Sequence, residues 1–209
     1  MKRLIVFLGM ALAWVMPAKA QVTFGARAGG AYSCLIQKVN DRSESGARFG
    51  FSVAGVAEIP LTANKKWLLR PEVTFMNQGG AYYSDVNGMA LYNECWYYSL
   101  QVPVDIAFKL KFTDVYLTIF AGPTVDFSLF GKMKSRETNP DLHFGMTEEK
   151  DLKPCDFGVN LGFSVEYNKF FFQLNALSGM IDRRATKREG ETSVYQNNVT
   201  LSVGYFFRK

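Results

Sequence analysis

The residues that could do chemistry are few and scattered. The single histidine, His143, lies in "NPDLHFGM" beside Asp141, and histidine is the commonest general acid–base. No nucleophile stands near it in a recognisable arrangement, so a solvated loop histidine is the favoured reading. Cys34, Cys95 and Cys155 lie far apart with no CxxC spacing, which gives a zinc site no support. An exported chain can form disulfides, and an odd cysteine count leaves at least one thiol unpaired within a monomer. A disulfide between two of the three stays open. No catalytic residue, metal ligand or cofactor motif is assigned. The remaining chemical groups are Arg27, Arg70, Glu72 and Asp105, with the polar Asn160 and Gln173. Each interrupts an alternating apolar run, where a charge must reach water or find a partner.

The elements that hold these groups read as strands. In "FGVNLGFSVEYNKFFFQLNA" (157–176), Phe157, Val159, Leu161, Phe163 and Val165 share one face, and Gly158, Asn160, Gly162, Ser164 and Glu166 the other. Successive side chains of a strand point to opposite sides of its sheet. The same pattern predicts strands at about 22–33, 48–58, 67–78, 96–108, 115–127, 156–167, 170–180 and 196–207. They come in pairs, joined by the short connections 59–66, 109–114 and 168–169. Longer stretches at 34–47, 79–95, 128–155 and 181–195 link one pair to the next. That alternation of short turns and long loops matches a transmembrane β-barrel. Pro71, Pro103 and Pro123 fall inside strands, and local bulges are expected there.

Volume decides which face is inside. The apolar face collects many large rings, among them Phe24, Phe49, Phe51, Phe75, Phe108, Phe157, Phe163 and Phe172. An eight-stranded barrel has an interior just wide enough for side chains to fill, and these rings would overfill it. The apolar face is therefore expected to meet lipid. The polar face, with Arg27, Arg70, Glu72, Asp105, Asn160 and Gln173, is expected to line a narrow lumen in which Arg27 and Arg70 pair with Glu72 or Asp105. A charge on the lipid face would cost about 2–4 kcal/mol at midplane. Aromatics at strand ends suggest two interfacial girdles: Trp96, Tyr97 and Tyr98 on the long-loop side, and Trp67, Tyr167, Phe170 and Phe207 on the short-turn side. The fold class expected is all-β, an eight-stranded antiparallel up-and-down transmembrane barrel.

The N-terminus reads as a secretory signal, residues 1–20. Lys2 and Arg3 precede the apolar run "LIVFLGMALAWVM" (4–16), and "AKA" (18–20) gives the cleavage pattern. The run is too short to span comfortably as a helix. Residues 21–209 then form one domain. Loss of Lys2, Arg3 and Lys19 leaves 21 basic residues against 19 acidic, so the formal charge falls from +5 to +2. So weak a balance argues against a nucleic-acid partner. The pattern "NVT" (198–200) falls in a strand and is a chance match to a glycosylation acceptor.

In their order, "FGARAGGAYS" (24–33), "RFGFSVAGVAE" (48–58), "LRPEVTFMNQGG" (69–80), "YSLQVPVDIAFK" (98–109), "YLTIFAGP" (116–123), "DFGVNLGFSVEY" (156–167) and "NNVTLSVGYFF" (197–207) make the chain resemble the small outer-membrane barrels of Bacteroidota, the porin family or PorT-like group. The resemblance implies an eight-stranded barrel inserted by the barrel-assembly machinery, and it implies no catalytic residues. Many such barrels end in an aromatic residue; here Arg208 and Lys209 follow Phe207.

Together these readings favour a non-enzymatic, monomeric outer-membrane barrel with a plugged lumen and both termini periplasmic. Its partners would be outer-membrane lipid and, at the extracellular loops, a protein or lipopolysaccharide. An outer-membrane protease or lipid A-modifying enzyme is the alternative, and a secreted soluble barrel holding an apolar ligand is a third. The charged loop segments 131–153 and 182–191 are read first as solvated surface.

Overall fold

A computed structural model describes residues 22–39, 42–86, 89–134, 139–147, 149–186 and 192–208. The signal segment 1–20 lies outside the described residues. Eight strands follow in chain order: β1 (Thr23–Val39), β2 (Arg42–Pro60), β3 (Trp67–Val86), β4 (Met89–Phe112), β5 (Val115–Lys134), β6 (Cys155–Tyr167), β7 (Phe170–Gly179) and β8 (Val194–Phe206). Each pairs antiparallel with the next, and β8 pairs with β1, so the sheet closes on itself. Closure leaves no sheet edge in the wall. No helix among the described residues is long and apolar enough to cross a membrane; a barrel crosses with strands.

The alternation survives in three dimensions. Along β7, exposed and buried residues alternate without a break, with Phe170, Phe172 and Leu174 outside and Phe171, Gln173 and Asn175 inside. The outer wall is a continuous apolar surface that includes Phe24, Phe49, Phe157, Phe163, Phe172 and Leu201. The buried set is mostly polar, including Arg27, Arg70, Glu72, Asp105, Gln173 and Thr200.

Two features depart from the sequence reading. The stretches 34–47 and 79–95 are not loops. They continue β1 into β2 and β3 into β4, with cross-strand pairing as far as Val39↔Arg42 and Val86↔Met89. Apolar–polar alternation is weak in the sequence of these stretches, but the pairing goes on. The prolines do not carry bulges either. Pairing is interrupted for two residues beside Pro71, Pro103 and Pro123 in turn, and resumes in the same register. A missing N–H deletes one rung, and the rungs on either side hold the alignment. The register shifts lie elsewhere, between Gly46 and Ser52 and between Tyr98 and Ser99.

The short turns set the other end. In the two-residue turns Thr113–Asp114 and Asn168–Lys169, Thr113 has φ 44° and Asn168 has φ 61°. Hairpin turns of this length need positive φ. Asparagine adopts it readily, whereas a β-branched threonine does so at a cost.

Candidate functional site

The interior is filled in layers. At the short-turn mouth, Lys109 Nζ lies 2.7 Å from Glu58 Oε2 and 3.1 Å from Glu166 Oε2. Arg208 turns in to pair with Glu166, and its guanidinium lies 5.1 Å from the Phe206 ring centre. Above the mouth sits an aromatic layer of Phe120, Phe171 and Phe206 with Val56, Leu68 and Ala107. Each ring lies opposite a glycine on the neighbouring strand: Phe120↔Gly162, Phe171↔Gly204 and Phe206↔Gly25. A Cβ at Gly204 or Gly162 would enter the facing ring, so the missing side chain is the space the ring occupies.

The next layer contains all six polar residues named from the sequence. Arg27 donates to Glu72 Oε2 through Nε (3.0 Å) and Nη2 (2.8 Å), and Nη2 also reaches Thr74 Oγ1 at 3.1 Å. Arg70 Nε lies 3.4 Å from Glu72 Oε1, and Arg70 Nη2 donates to Gln173 Oε1 at 2.6 Å. The Arg70 guanidinium stands 4.5 Å from the Phe120 ring centre, a cation–π contact that joins this layer to the aromatic one. Gln173 Nε2 donates to Glu72 Oε1 at 3.2 Å. Asn175 bridges to Asn160 at 3.2 Å, and Asn160 Nδ2 donates to Asp105 Oδ2 at 2.8 Å. Both arginines thus converge on Glu72, and Asp105 is held by an amide rather than by a guanidinium. Two cations on one carboxylate satisfy charges that would be costly alone.

A second polar layer was not singled out from the sequence. Asp126 Oδ2 accepts from Gln78 Nε2 at 2.6 Å and from Gln101 Nε2 at 2.8 Å, and Asn198 Nδ2 donates to Gln78 Oε1 at 3.2 Å. Inward amides on successive strands were the available signal. Asn198 is buried inside β8, so its side chain is inaccessible as a glycosylation acceptor.

The long-loop end is closed by the loops themselves. Leu142 and Leu152, from the β5–β6 connection, pack with Leu35, Tyr82, Cys95, Tyr97 and Val194 in one buried cluster. Arg183, from the β7–β8 connection, reaches inward, where Nη2 donates to Ser128 Oγ at 2.7 Å and the guanidinium lies 5.7 Å from the Tyr97 ring centre.

Tyr97 corrects the girdle set. It is fully buried, and its hydroxyl donates to Gln196 Oε1 at 2.7 Å. Of three consecutive strand residues the middle one must point the other way, and Gly131 opposite leaves room for its ring. The other aromatics face outward. Trp67, Tyr167, Phe170 and Phe207 stand at the short-turn end, with Trp67 4.9 Å from Phe108 and Phe170 5.1 Å from Tyr205 between ring centres. Tyr98 lies at the long-loop end, stacked on Phe75 at 5.5 Å and 6.1 Å from Trp96.

His143 is exposed in the loop. Its backbone N–H donates to Asp151 Oδ2 at 2.8 Å, and its Nδ1 lies 3.7 Å from the same oxygen. Its carboxylate neighbour is therefore Asp151, and the contact fastens the loop. Cys34, Cys95 and Cys155 are free thiols. Their cross-strand partners are Ala47 and Asn197, Gly80 and Met133, and Phe127, so no two face each other.

A closed eight-stranded sheet with an apolar outer wall and a filled polar interior defines a membrane-spanning β-barrel. The chain belongs to the family described as the outer membrane protein beta-barrel domain, whose model matches residues 17–183. No curated protein matches the sequence. Among solved structures, Neisserial surface protein A is similar at TM-score 0.50 and 12% identity, over 88% of this chain and 98% of that one. A major outer membrane protein from Thermus thermophilus gives TM-score 0.49 and 13% identity over 90% and 100%. Ail of Yersinia pestis gives 0.43 and 12% over 88% and 99%. The chain is an integral outer-membrane barrel.

Proposed function

We propose that the protein is a non-enzymatic, non-conducting barrel that serves as a membrane anchor and displays its long-loop end to the exterior. The observation that carries this reading is the interior, which is occupied at every level by an ion-paired mouth, an aromatic layer, two hydrogen-bonded polar layers and a loop-built apolar cap. A lumen of this width, filled by side chains, leaves no aqueous path for solutes. The signal segment 1–20 is removed, residues 21–209 form the barrel, and both termini lie in the periplasm. The barrel-assembly machinery inserts it as a monomer. The outward aromatics Trp67, Trp96, Tyr98, Tyr167, Phe170 and Phe207 rest at the two interfaces. Within the family, the order of the strand motifs favours the PorT-like group of Bacteroidota.

The test is fractionation with electrophoresis of boiled and unboiled samples, followed by single-channel recording in planar bilayers. The expected result is an outer-membrane band that shifts on boiling and a barrel that leaves the bilayer silent. Steady ion conductance would overturn the sealed-lumen reading, and a soluble band with no shift would overturn the anchor.

A further inference from the structure

The outer wall changes character at one place on β5. Tyr98 pairs with Phe130 and Ser99 with Ser128, so Leu129 is an extra residue and the strand bulges. A bulge re-aims the side chains beyond it. Here it leaves Leu129 and Phe130 consecutive and both exposed, and it turns Lys132 and Lys134 outward while Gly131 faces in. The edge of β5 above the bulge is covered by the loop. Leu142 N–H donates to Gly131 O at 2.9 Å, Met133 N–H donates to Pro140 O at 2.9 Å, and the Asp141 backbone lies antiparallel to that of Lys132. Between this added segment and the wall runs a groove of about 600 Å³, lined by Trp96, Tyr98, Leu129, Phe130 and Lys132 from β4 and β5 and by Lys150 and His143 from the loop. Among the described residues, Asp141 is the one carboxylate lining it. Neither Lys132 nor Lys150 has an ion-pair partner among the described residues, whereas Lys134 is paired with Glu94 at 3.0 Å.

We propose that this groove seats a phosphate-bearing lipid of the outer leaflet. Its acyl chain would lie along Leu129 and Phe130, and its phosphate would meet the Lys132 and Lys150 ammonium groups. The inference deepens the anchor reading and rests on it, because it needs the long-loop end to face outward. The composition selects the occupant. The apolar floor is continuous with the lipid-facing wall through Tyr98, which packs against Phe130 in the groove and against Phe75 and Phe51 on the wall, where a water-soluble partner would have to displace lipid to bind. An uncharged lipid would leave two ammonium groups unanswered, and lysine is an effective point-charge phosphate ligand.

The experiment uses the purified full-length barrel in detergent, with diphosphoryl lipid A as the probe and native mass spectrometry as the readout. Retention is expected to fall at least tenfold in K132A/K150A. It should fall to the same level when wild type is offered lipid A with its phosphates removed. L129S/F130S should weaken both lipids alike. Equal retention by wild type and K132A/K150A would overturn the proposal, as would equal retention of the phosphorylated and dephosphorylated lipids by wild type. These side chains point away from the packed interior, so an unchanged shift on boiling confirms that each variant is folded. Protease treatment of intact cells tests the orientation separately. A β5–β6 loop cut only after the cells are broken would overturn the anchor reading, whatever the purified barrel retains.

Discussion

The two ends of the barrel are built on different rules. From the short turns to the charged layer, the sheet obeys one constraint, that every second side chain meets lipid. Its registers are kept even past Pro71, Pro103 and Pro123, and its interior closes through strand side chains with the C-terminal Arg208 added at the mouth. Toward the long loops the β1–β2 and β3–β4 hairpins run on as paired ribbons beyond the last rungs of β6 and β7. Two register shifts appear there, and closure depends on loop residues such as Leu142, Leu152 and Arg183. The first region is specified by pattern and the second by tertiary contact. Substitutions in the first should therefore threaten the whole barrel, while substitutions in the second should loosen the cap and leave the wall intact.

The sharpest way to break that comparison is Glu72→Ala. It leaves Arg27 and Arg70 buried without the carboxylate on which both converge. Removing one partner of a buried ion pair costs about 3–5 kcal/mol. The variant should lose most of its shifted band or unfold at much lower denaturant. Urea unfolding in detergent micelles with the wild-type midpoint would show that the arginines are satisfied by Thr74 and Gln173 together with Ser164, whose Oγ accepts from Arg70 Nη1 at 3.3 Å.

Leu152→Ala probes the other end. Truncating a buried leucine costs about 2 kcal/mol or more, but here the loss falls on a cluster closed by loop residues. The loops should become several-fold more sensitive to protease while the temperature of the band shift stays within a few degrees of wild type. Equal loss of both would mean that the cap and the wall unfold as one cooperative unit.

These two ends were not equally legible from the chain. The alternation in "FGVNLGFSVEY" marked the lipid face and, by exclusion, the lumen; Arg27, Arg70, Glu72, Asp105, Asn160 and Gln173 were found because charges and amides stand out against that face. Phe171 obeyed the same alternation but was hidden among "FFF", where hydrophobicity alone cannot say which ring points in. Tyr97 was hidden in the same way inside "WYY". In both cases the missing signal was the glycine on the neighbouring strand, Gly204 or Gly131, which becomes visible only once register is known. The pairing of 34–47 and 79–95 carried no apolar periodicity to read. The bulge at Leu129 depends on which residues of β4 lie opposite, a property of two segments together.

Gly204→Ala tests that cross-strand rule within the better-specified end. The new methyl would enter the Phe171 ring, and overpacking of a filled core costs about 1–3 kcal/mol. A drop in the unfolding midpoint is expected in Gly204→Ala, and Gly55→Ala, at a glycine with open space around its Cβ direction, should leave the midpoint nearly unchanged. An unchanged or raised midpoint in Gly204→Ala would show that the Phe171 ring gives way and does not set the glycine preference.

The smallest effect belongs to a turn. Thr113 holds φ 44° in a two-residue connection whose counterpart at Asn168 uses a residue suited to φ 61°. A left-handed conformation costs an ordinary residue about 1–2 kcal/mol, and asparagine relieves part of that through its short polar side chain. Thr113→Asn should therefore stabilise the barrel by under about 1 kcal/mol, read as a small rise in the denaturant midpoint with the slope unchanged. The gain should appear in the unfolding of the wall and leave loop proteolysis untouched. A change in proteolysis at the far end would mean that strain at the short turns is transmitted along β4 and β5, and the division between a patterned wall and an independent cap would then have to be abandoned.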